Sequence, residues 1–232
     1  MRARKLDSWS GAVAAALLLF SASCDDASAP PQPSRTWPEG VVLAVDDVPI
    51  YAAEVDRASA AVQLIEPAVS PAQLRRLALS NIVLPRALAH AMAPKEREAA
   101  LQSAKDKLAE IRAGANGPPR PDGLVGEKYE GLWTDLGLGN WYAALELPDE
   151  QWSEPIEDAG GFLLLRRLWR RDGPVPMATV VAVDALRFDW LDSSQRRSLL
   201  DSALTQHKLE IVDPAWREIV PELYQYRMGA RQ

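Results

Sequence analysis

Residues 132–170 have the sequence LWTDLGLGNWYAALELPDEQWSEPIEDAGGFLLLRRLWR, and no other part of the chain combines glycine and tryptophan so densely. The end of this stretch predicts a β-hairpin. Ile156 ends its first strand, residues 158–161 form the turn, and residues 162–170 form a second, partly buried strand. We therefore expect the fold to be organised around this hairpin.

Upstream of this stretch, the chain predicts a smaller hairpin and a first helix. Residues 41–50, VVLAVDDVPI, place two short apolar runs on either side of an Asp-Asp pair, which indicates strand, turn and strand. From Tyr51 to Ile65 the apolar residues recur at spacings of three and four, the period of an amphipathic helix. The hairpin should therefore lead directly into a helix.

Two further helices are predicted in the N-terminal half. Ser70 and Pro71 are a typical N-cap and first helical residue, and they open a helix over residues 70–93. Pro85 lies inside this helix and is expected to kink it, because proline lacks the N–H that an internal turn requires. Residues 94–114 predict the next helix, which starts at a proline and stops at a glycine.

The rest of the chain predicts a loop, one more strand and C-terminal helices. Residues 115–131 are rich in glycine and proline and indicate a linker. Residues 179–190 are rich in valine and predict a strand, which we expect to pair with the hairpin of residues 41–50. A capping-box-like start at residues 192–195 predicts a helix, and residues 216–224 predict a short final one.

The N-terminus has the organisation of an export signal. A basic segment that begins at Arg2 precedes the apolar residues 11–20, which are too few to span a bilayer permanently. Small residues stand directly before Cys24, the only cysteine, and resemble a bacterial lipobox. Cleavage there leaves Cys24 as the acylated first residue. The alternative is a general signal peptidase site at residues 21–23, which leaves an incidental thiol.

We favour lipidation because chance rarely places a single cysteine at that point. The proline-rich residues 24–40 then predict an extended tether to a membrane of the bacterial envelope, with the folded part facing the periplasm. Removing residues 1–23 takes away three basic residues and one acidic residue, which leaves 23 Lys+Arg against 31 Asp+Glu, a net charge of −8. Such an acidic chain without a basic stripe is a poor candidate for binding nucleic acid.

Three segments within residues 132–170 carry a resemblance to the parvulin-type peptidyl-prolyl isomerases. The family has a G-D-L-G element, a segment ending in S-x-P-V/I, and a last strand with the sequence G-Y/F-H-I-I. Residues 134–137 (TDLG), 153–156 (SEPI) and 161–165 (GFLLL) resemble these elements in the same order. The strand histidine of the family is replaced by Leu163.

The first predicted hairpin and helix resemble the start of the chaperone domain of SurA-type periplasmic foldases. The pattern V-x-V-N/D-G/D-x-P-I…E-V-D is carried by Val45, Asp46, Pro49, Ile50, Glu54, Val55 and Asp56. The two resemblances cover about half of the chain. They imply an α+β fold, with a helical SurA-like N-terminal lobe and a small, degenerate parvulin-like β-sheet domain.

The implied domains follow one another along the chain. They are a signal peptide (1–23), a tether (24–40), a chaperone lobe (41–114), a linker loop (115–131), a parvulin-like domain (132–172) and a C-terminal strand with helices (173–232) that packs on the N-terminal lobe.

The side chains with which parvulins favour the twisted X-Pro amide are largely missing. The family uses a pair of strand histidines, an acidic or thiol residue and an apolar cup for the proline ring. This chain has only two histidines, His90 in a predicted helix and His207 near a helix end, and neither matches a family position. We therefore assign no catalytic residue, and we leave open whether the protein is an enzyme.

Peptide-binding candidates come from the aromatic residues and from the family's proline cup. Trp141 and Tyr142 belong to an aromatic group able to form a peptide-binding surface, since Trp and Tyr are common anchors. The alternative is that this group is the core of a small domain; its other members are Trp133, Trp152 and Trp169. Phe162 is the candidate for the apolar cup, and Leu163, in place of the family histidine, is a further peptide-binding candidate.

The charged residues near the hairpin are expected to be solvated. Arg166, Arg167, Arg170 and Arg171 alternate over a strand end, which is typical of a protected edge. Six acidic residues lack the spacing of a calcium loop: Glu146, Asp149, Glu150, Glu154, Glu157 and Asp158. With no His/Cys cluster and no phosphate-binding glycine loop, we expect no metal and no cofactor.

These observations lead to one functional hypothesis and its alternatives. The protein is expected to be a foldase-like or chaperone-like envelope lipoprotein that binds extended or unfolded polypeptide, with weak or absent isomerase activity. The first alternative is a structural or assembly lipoprotein that docks one dedicated envelope partner. The second is an active isomerase that uses other residues.

Overall fold

The computed structural model describes residues 35–114 and 123–228, except for the side chains of residues 200–202. The export signal, the lipidation of Cys24 and most of the tether are predictions that lie outside the described residues. The described residues from Trp37 onward form one compact unit.

The first hairpin and helix form where the sequence predicts them. β1 (Val41–Val45) and β2 (Val48–Tyr51) pair in antiparallel fashion across an Asp-Asp turn, and α1 (Ala52–Ile65) follows without a gap. Asp46 has a φ of 50°, a left-handed conformation that aspartate tolerates better than most residues. One side of α1, which includes Val62, is buried.

The expected kink at Pro85 takes the form of a π-helical turn. α2 (Pro71–Ala78) starts at Ser70, whose Oγ accepts a hydrogen bond from the Gln73 N–H at 3.4 Å. The π-helical turn, Leu79–Val83, then leads into α3 (Leu84–Met92). Pro85 cannot donate to the carbonyl four residues earlier, and a widened turn at that point accommodates the missing bond.

The second sheet has four strands and contains the hairpin that the glycine-rich stretch predicts. The strands are β3 (Glu127–Gly131), β4 (Ile156–Glu157), β5 (Gly161–Arg171) and β6 (Val180–Asp189), in the order β3-β6-β5-β4. All neighbours are antiparallel, and β5 pairs with β6 from Gly161 opposite Asp189 to Arg171 opposite Val180. The predicted β4–β5 hairpin is therefore confirmed.

Both faces of this sheet are covered by helices. On one face, Trp141 and Ala144 of α6 (Leu138–Glu146) pack in one cluster with Leu163, Leu165 and their neighbours on β6. The long helix α4 (Pro94–Arg112) also packs against β5 and β6, and Phe162 belongs to the same core cluster as two alanines of α4. A short helix, α5 (Trp133–Leu136), precedes α6. Burial on both faces explains why Phe162 to Leu165 form an unbroken apolar run.

The C-terminal residues return to the N-terminal helices. α7 (Ser193–Gln206) starts with a capping box between Asp192 and Gln195, as predicted, and packs against α3. A short strand, β7 (Leu209–Ile211), pairs with β1, and α8 (Glu222–Arg227) contacts α7. These elements share one hydrophobic core with α1, α2 and α3.

Two predictions about strands are wrong. The strand of residues 179–190 exists, but it pairs with β5 and β3 rather than with the first hairpin, because a short loop after β5 returns it as an antiparallel neighbour. β7 takes the place beside β1 instead. The predicted linker of residues 115–131 is too long, since Glu127–Gly131 form β3. The residues of β3 are mostly polar because most of them face solvent.

The predicted final helix over residues 216–224 is also wrong, because the chain forms two shorter pieces. A 3₁₀ turn covers Pro214–Trp216, and α8 begins only after Pro221, which cannot supply an internal helical N–H. The α+β class is confirmed. In the described part of the chain, no helix has both the length and the apolar character needed to cross a membrane.

The β4–β5 turn offers a test of this packing. Gly160 has a φ of 107°, and its carbonyl accepts hydrogen bonds from the backbone N–H groups of Trp190 and Leu191 at 3.0 and 3.1 Å. An added Cβ would lie 2.9 Å from Cγ of Arg196 and 3.0 Å from Cβ of Leu191. We expect Gly160→Ala to lower the free energy of unfolding by about 1–3 kcal/mol, measured by chemical denaturation.

Gly139→Ala is the matched control. Gly139 lies in α6, and an added Cβ there would meet no atom within 4 Å. Alanine should leave the free energy of unfolding unchanged or raise it by up to about 1 kcal/mol, because alanine is the better helix former. Equal losses of stability in the two variants would contradict the role assigned to the turn.

Candidate functional site

A cleft of about 1180 Å³ lies between the N-terminal helices and the second sheet. One wall is formed by β2, α1 and α3, and the opposite wall by α6 and the loop that leads into β4. The start of α4 closes it at Arg97. α4 and α6 pack on opposite faces of the sheet, and the cleft is the space left between α6 and the helices that precede α4.

The lining of the cleft is mainly apolar and includes two tyrosines. Its apolar side chains include Pro49, Ala58, Ile82, Leu138, Leu147 and Ile156. Tyr51 lies on the first wall and is 38% exposed, and Tyr142 of α6 is partly buried on the second. Tyr142 hydrogen bonds to Glu146, and its pKa is raised by burial, by this hydrogen bond and by the nearby negative charge.

All of the charged residues described along the cleft are members of ion pairs. The pairs are Glu54–Arg86, Arg57–Glu146, Arg97–Glu157, Arg112–Glu154, Arg187–Asp158 and Arg196–Asp189. The Arg57–Glu146 and Arg112–Glu154 pairs are exposed and contribute little to stability, on the order of 0–1 kcal/mol each, whereas the other four pairs are partly buried. The main effect of these pairs is that the cleft has little net charge although the chain is acidic.

The pair between Arg97 and Glu157 is the least exposed of these pairs. Arg97 Nε donates to Oε1 of Glu157 at 2.7 Å and Nη2 donates to Oε2 at 2.5 Å, while both side chains are only about one-fifth exposed. The Arg97 guanidinium also lies 5.3 Å from the ring centroid of Phe162. The start of α4 is thereby joined to β4 and β5.

His90 lies on α3 within the same cleft. Partial burial lowers the pKa of its imidazole, the positive charge of Arg97 lowers it further, and the negative charge of Glu157 offsets part of this. Burial also lowers the pKa of the neighbouring Arg86, which is paired with Glu54. His207 lies elsewhere: its Nδ1 is 2.7 Å from the Asp46 carboxylate, at the turn between β1 and β2.

The expectation that the six acidic residues are solvated charges is confirmed for Glu146, Asp149, Glu150 and Glu154, whose side chains are 46–73% exposed. It is wrong for Glu157 and Asp158, which are only 19% and 24% exposed. All six form ion pairs. The pairs are Glu146–Arg57, Asp149–Arg167, Glu150–Arg166, Glu154–Arg112, Glu157–Arg97 and Asp158–Arg187. The arginines come from α1, α4, β5 and β6, so the loop between α6 and β4 is held from several sides. In the described residues, no group of carboxylates, histidines or cysteines could hold a metal ion.

The expectation that all four strand arginines are solvated is wrong for two of them. Arg166 and Arg167 are only 16% and 12% exposed, whereas Arg170 and Arg171 are exposed as predicted. Arg166 Nη2 donates to the fully buried Asp184 at 2.9 Å. The backbone N–H groups of Val125 and Gly126 donate to the same carboxylate, which fixes the chain just before β3.

The four peptide-binding candidates do not form one surface. Trp141 is fully buried and donates from Nε1 to the Thr179 carbonyl at 3.0 Å. Phe162 and Leu163 are 2% and 8% exposed. Trp141, Phe162 and Leu163 therefore lie in the protein core, and for Trp141 this is the alternative given above for the aromatic group. Only Tyr142 lines the cleft. The position of Tyr51, His90 and the arginines on the cleft was not predicted, since helical periodicity alone does not show which helices face each other.

Two of the segments that resemble the isomerase family lie side by side. The Ser153 N–H donates to the Leu165 carbonyl at 2.8 Å, and the Leu165 N–H donates to Ser153 Oγ at 3.0 Å. Ile156 pairs with Leu163, so the position of the family histidine is occupied by a buried leucine. The first segment, residues 134–137, spans most of α5 and the turn into α6.

Comparison with known proteins adds no relative. No protein-family model, no curated protein and no solved structure matches the chain.

The Arg97–Glu157 pair can be tested by a double-mutant cycle. We expect Arg97→Met and Glu157→Gln each to lower the free energy of unfolding, because each leaves a partly buried group without its partner. The coupling between them should be about 1–3 kcal/mol, measured by chemical denaturation of the two single variants and the double variant.

The control cycle uses Arg57→Met and Glu146→Gln, which remove a pair with side chains 73% and 46% exposed. Its coupling should stay below about 1 kcal/mol. Equal coupling in the two cycles would show that burial does not distinguish the pairs.

Proposed function

We propose that this chain is a lipid-anchored protein of the bacterial envelope that binds extended or unfolded polypeptide in the cleft. In this proposal it is a degenerate relative of the parvulin-type isomerases and SurA-type foldases, with weak or absent isomerase activity. Acylated Cys24 is the anchor, and the folded unit faces the periplasm. The observation that carries the proposal is the wide, apolar and tyrosine-bearing cleft between the N-terminal helices and the second sheet.

The size and lining of the cleft support a polypeptide as the ligand. Sites for small molecules have volumes of roughly 300–1000 Å³ and enclose most of their ligand. This cleft is larger and is open to solvent. Tyr51 and Tyr142 stand on opposite walls, and tyrosine is a frequent anchor in protein recognition because a rigid apolar ring carries a polar group.

The absence of net charge in the cleft supports the same ligand class. A site for a charged metabolite would present charged groups without protein partners, whereas the charged groups described along these walls pair with one another. Unfolded chains offer apolar side chains and amide groups instead. Apolar surface that accepts such segments is what chaperone-type binding requires.

The order of the resemblances supports an origin in an exported foldase. A hairpin and long helices come first, the segments similar to the isomerases follow, and the C-terminal β7 pairs back onto β1. In this interpretation the loss of the strand histidine, with Leu163 in its place, removed catalysis and left the binding cleft.

The cleft tyrosines provide the first test of this proposal. We expect the double variant Tyr51→Ala/Tyr142→Ala of the full chain to bind unfolded client proteins at least about tenfold more weakly, because two anchoring rings are lost. The measurement is suppression of aggregation for several unrelated clients, together with fluorescence anisotropy of labelled peptides. Tyr226→Ala is the matched control, since Tyr226 is 89% exposed on α8 and does not line the cleft.

The choice of clients separates the proposal from its alternative. Protection of several unrelated clients supports general polypeptide binding. If the folded wild-type chain protects no client, general polypeptide binding is contradicted. That result would favour a protein that docks one dedicated partner.

Isomerase activity is tested separately. The uncatalysed cis-to-trans relaxation of a proline peptide takes tens to hundreds of seconds. We expect no acceleration with micromolar protein, because no imidazole occupies the family position on β5. Acceleration that survives His90→Gln and His207→Gln would show that other residues catalyse the reaction.

A further inference from the structure

One polar side chain of the cleft stands apart from the paired charges. His90 is half-buried on α3, and among the described residues neither of its ring nitrogens has a hydrogen-bond partner. Asn81 and Tyr51 are also without one, and the ring nitrogens of His90 are open to the cleft as well, because in the described residues only Arg166 Nε is an enclosed side-chain polar atom without a partner. A polar group that faces a cleft without a protein partner is a site where a ligand can replace water as the hydrogen-bond partner.

The surroundings of His90 keep its ring neutral. Arg97 of α4 and Glu157 of β4 are the charged groups that act on it, and they are paired with each other. Arg86 lies one helical turn before it on α3 and is paired with Glu54 of α1. A neutral imidazole carries one N–H donor and one acceptor, which match the C=O and N–H of a peptide group.

We propose that His90 is the hydrogen-bonding anchor for the backbone of an uncharged, extended polypeptide segment bound in the cleft. This inference rests on the function proposed above and names the part of the client that the cleft recognises. The apolar walls take its side chains, and His90 takes one of its peptide groups.

The charge balance favours an uncharged segment over a charged one. Arg86 and Arg97 already engage Glu54 and Glu157, so an incoming carboxylate would have to displace one of them. An incoming ammonium group would meet the same two arginines. A neutral amide disturbs neither pair, and it satisfies the group that the protein leaves without a partner.

The number of histidines makes a direct measurement possible. The chain contains only His90 and His207, so the NMR signals of two imidazoles report on the cleft and on a distant reference. The full chain is titrated with a short peptide of apolar and amide residues that is acetylated at its N-terminus and amidated at its C-terminus. We expect the His90 signals to move on binding and those of His207, which is held by Asp46, to stay in place.

Binding should also lower the pKa of His90. The bound segment excludes water, which makes a positively charged imidazole between two arginines less favourable. A group whose pKa is lower in the complex weakens binding as the pH falls below its pKa in the free protein. Affinity should therefore be constant above about pH 7, where the imidazole is neutral in both states, and should decrease as the pH falls below the pKa of His90 in the free protein.

Two substitutions separate hydrogen bonding from packing. His90→Leu keeps an apolar side chain but removes both ring nitrogens, and we expect about tenfold weaker binding of the capped peptide. His90→Gln retains a donor and an acceptor, so binding should stay within about threefold of wild type while its pH dependence disappears. His207→Gln is the control and should leave both the affinity and its pH dependence unchanged. Thermal melts show whether each variant is folded.

Three results would overturn the inference. If the peptide binds but the His90 signals do not respond, the cleft binds polypeptide and His90 is not its anchor. If a peptide with a free C-terminal carboxylate binds more tightly and raises the pKa of His90, the recognised group is an anion. If no peptide binds to the wild-type chain, both this inference and the proposed function fail.

Discussion

The structure depends on the burial of β5 on both faces. Phe162 to Leu165 are all buried, because α6 covers one face of the sheet and the longer α4 packs against β5 and β6. Leaving such a run exposed on either side would lose roughly 1.5–3 kcal/mol for each large side chain. α4, which follows directly from the N-terminal helices, is therefore fixed against the sheet. The space that remains between the N-terminal helices and α6 is the cleft.

Ion pairs leave the walls of this cleft with little net charge. The loop between α6 and β4 is acidic, and arginines from α1, α4, β5 and β6 neutralise it. The exposed pairs among these add little stability. What they do is remove net charge from the cleft walls of an acidic protein, so that apolar surface, two tyrosines and an unpartnered imidazole are what a ligand meets.

Local sequence patterns predicted the positions of helices and strands well, but predicted less well which elements and side chains contact each other. The hairpin of residues 41–50, α1, α4 and the β4–β5 hairpin follow from turn residues, caps and periodicity, which act over a few residues. β3 was missed because its sequence, EKYEG, shows no apolar alternation. The roles of Arg166 and Arg167 were missed because their partners Asp184 and Asp149 lie about eighteen residues away in sequence, and only strand register and loop path bring them together.

The sequence by itself determined the α+β class, most helix and strand positions and the place of the Asp46, Gly114 and Gly160 turns, because these depend on the local conformational preferences of each residue. Only the tertiary structure decided that β7 rather than residues 179–190 pairs with β1, that Trp141, Phe162 and Leu163 are core, and that His90 faces a cleft. Those outcomes depend on which apolar surfaces cover each other, and that choice is made between segments far apart in the chain.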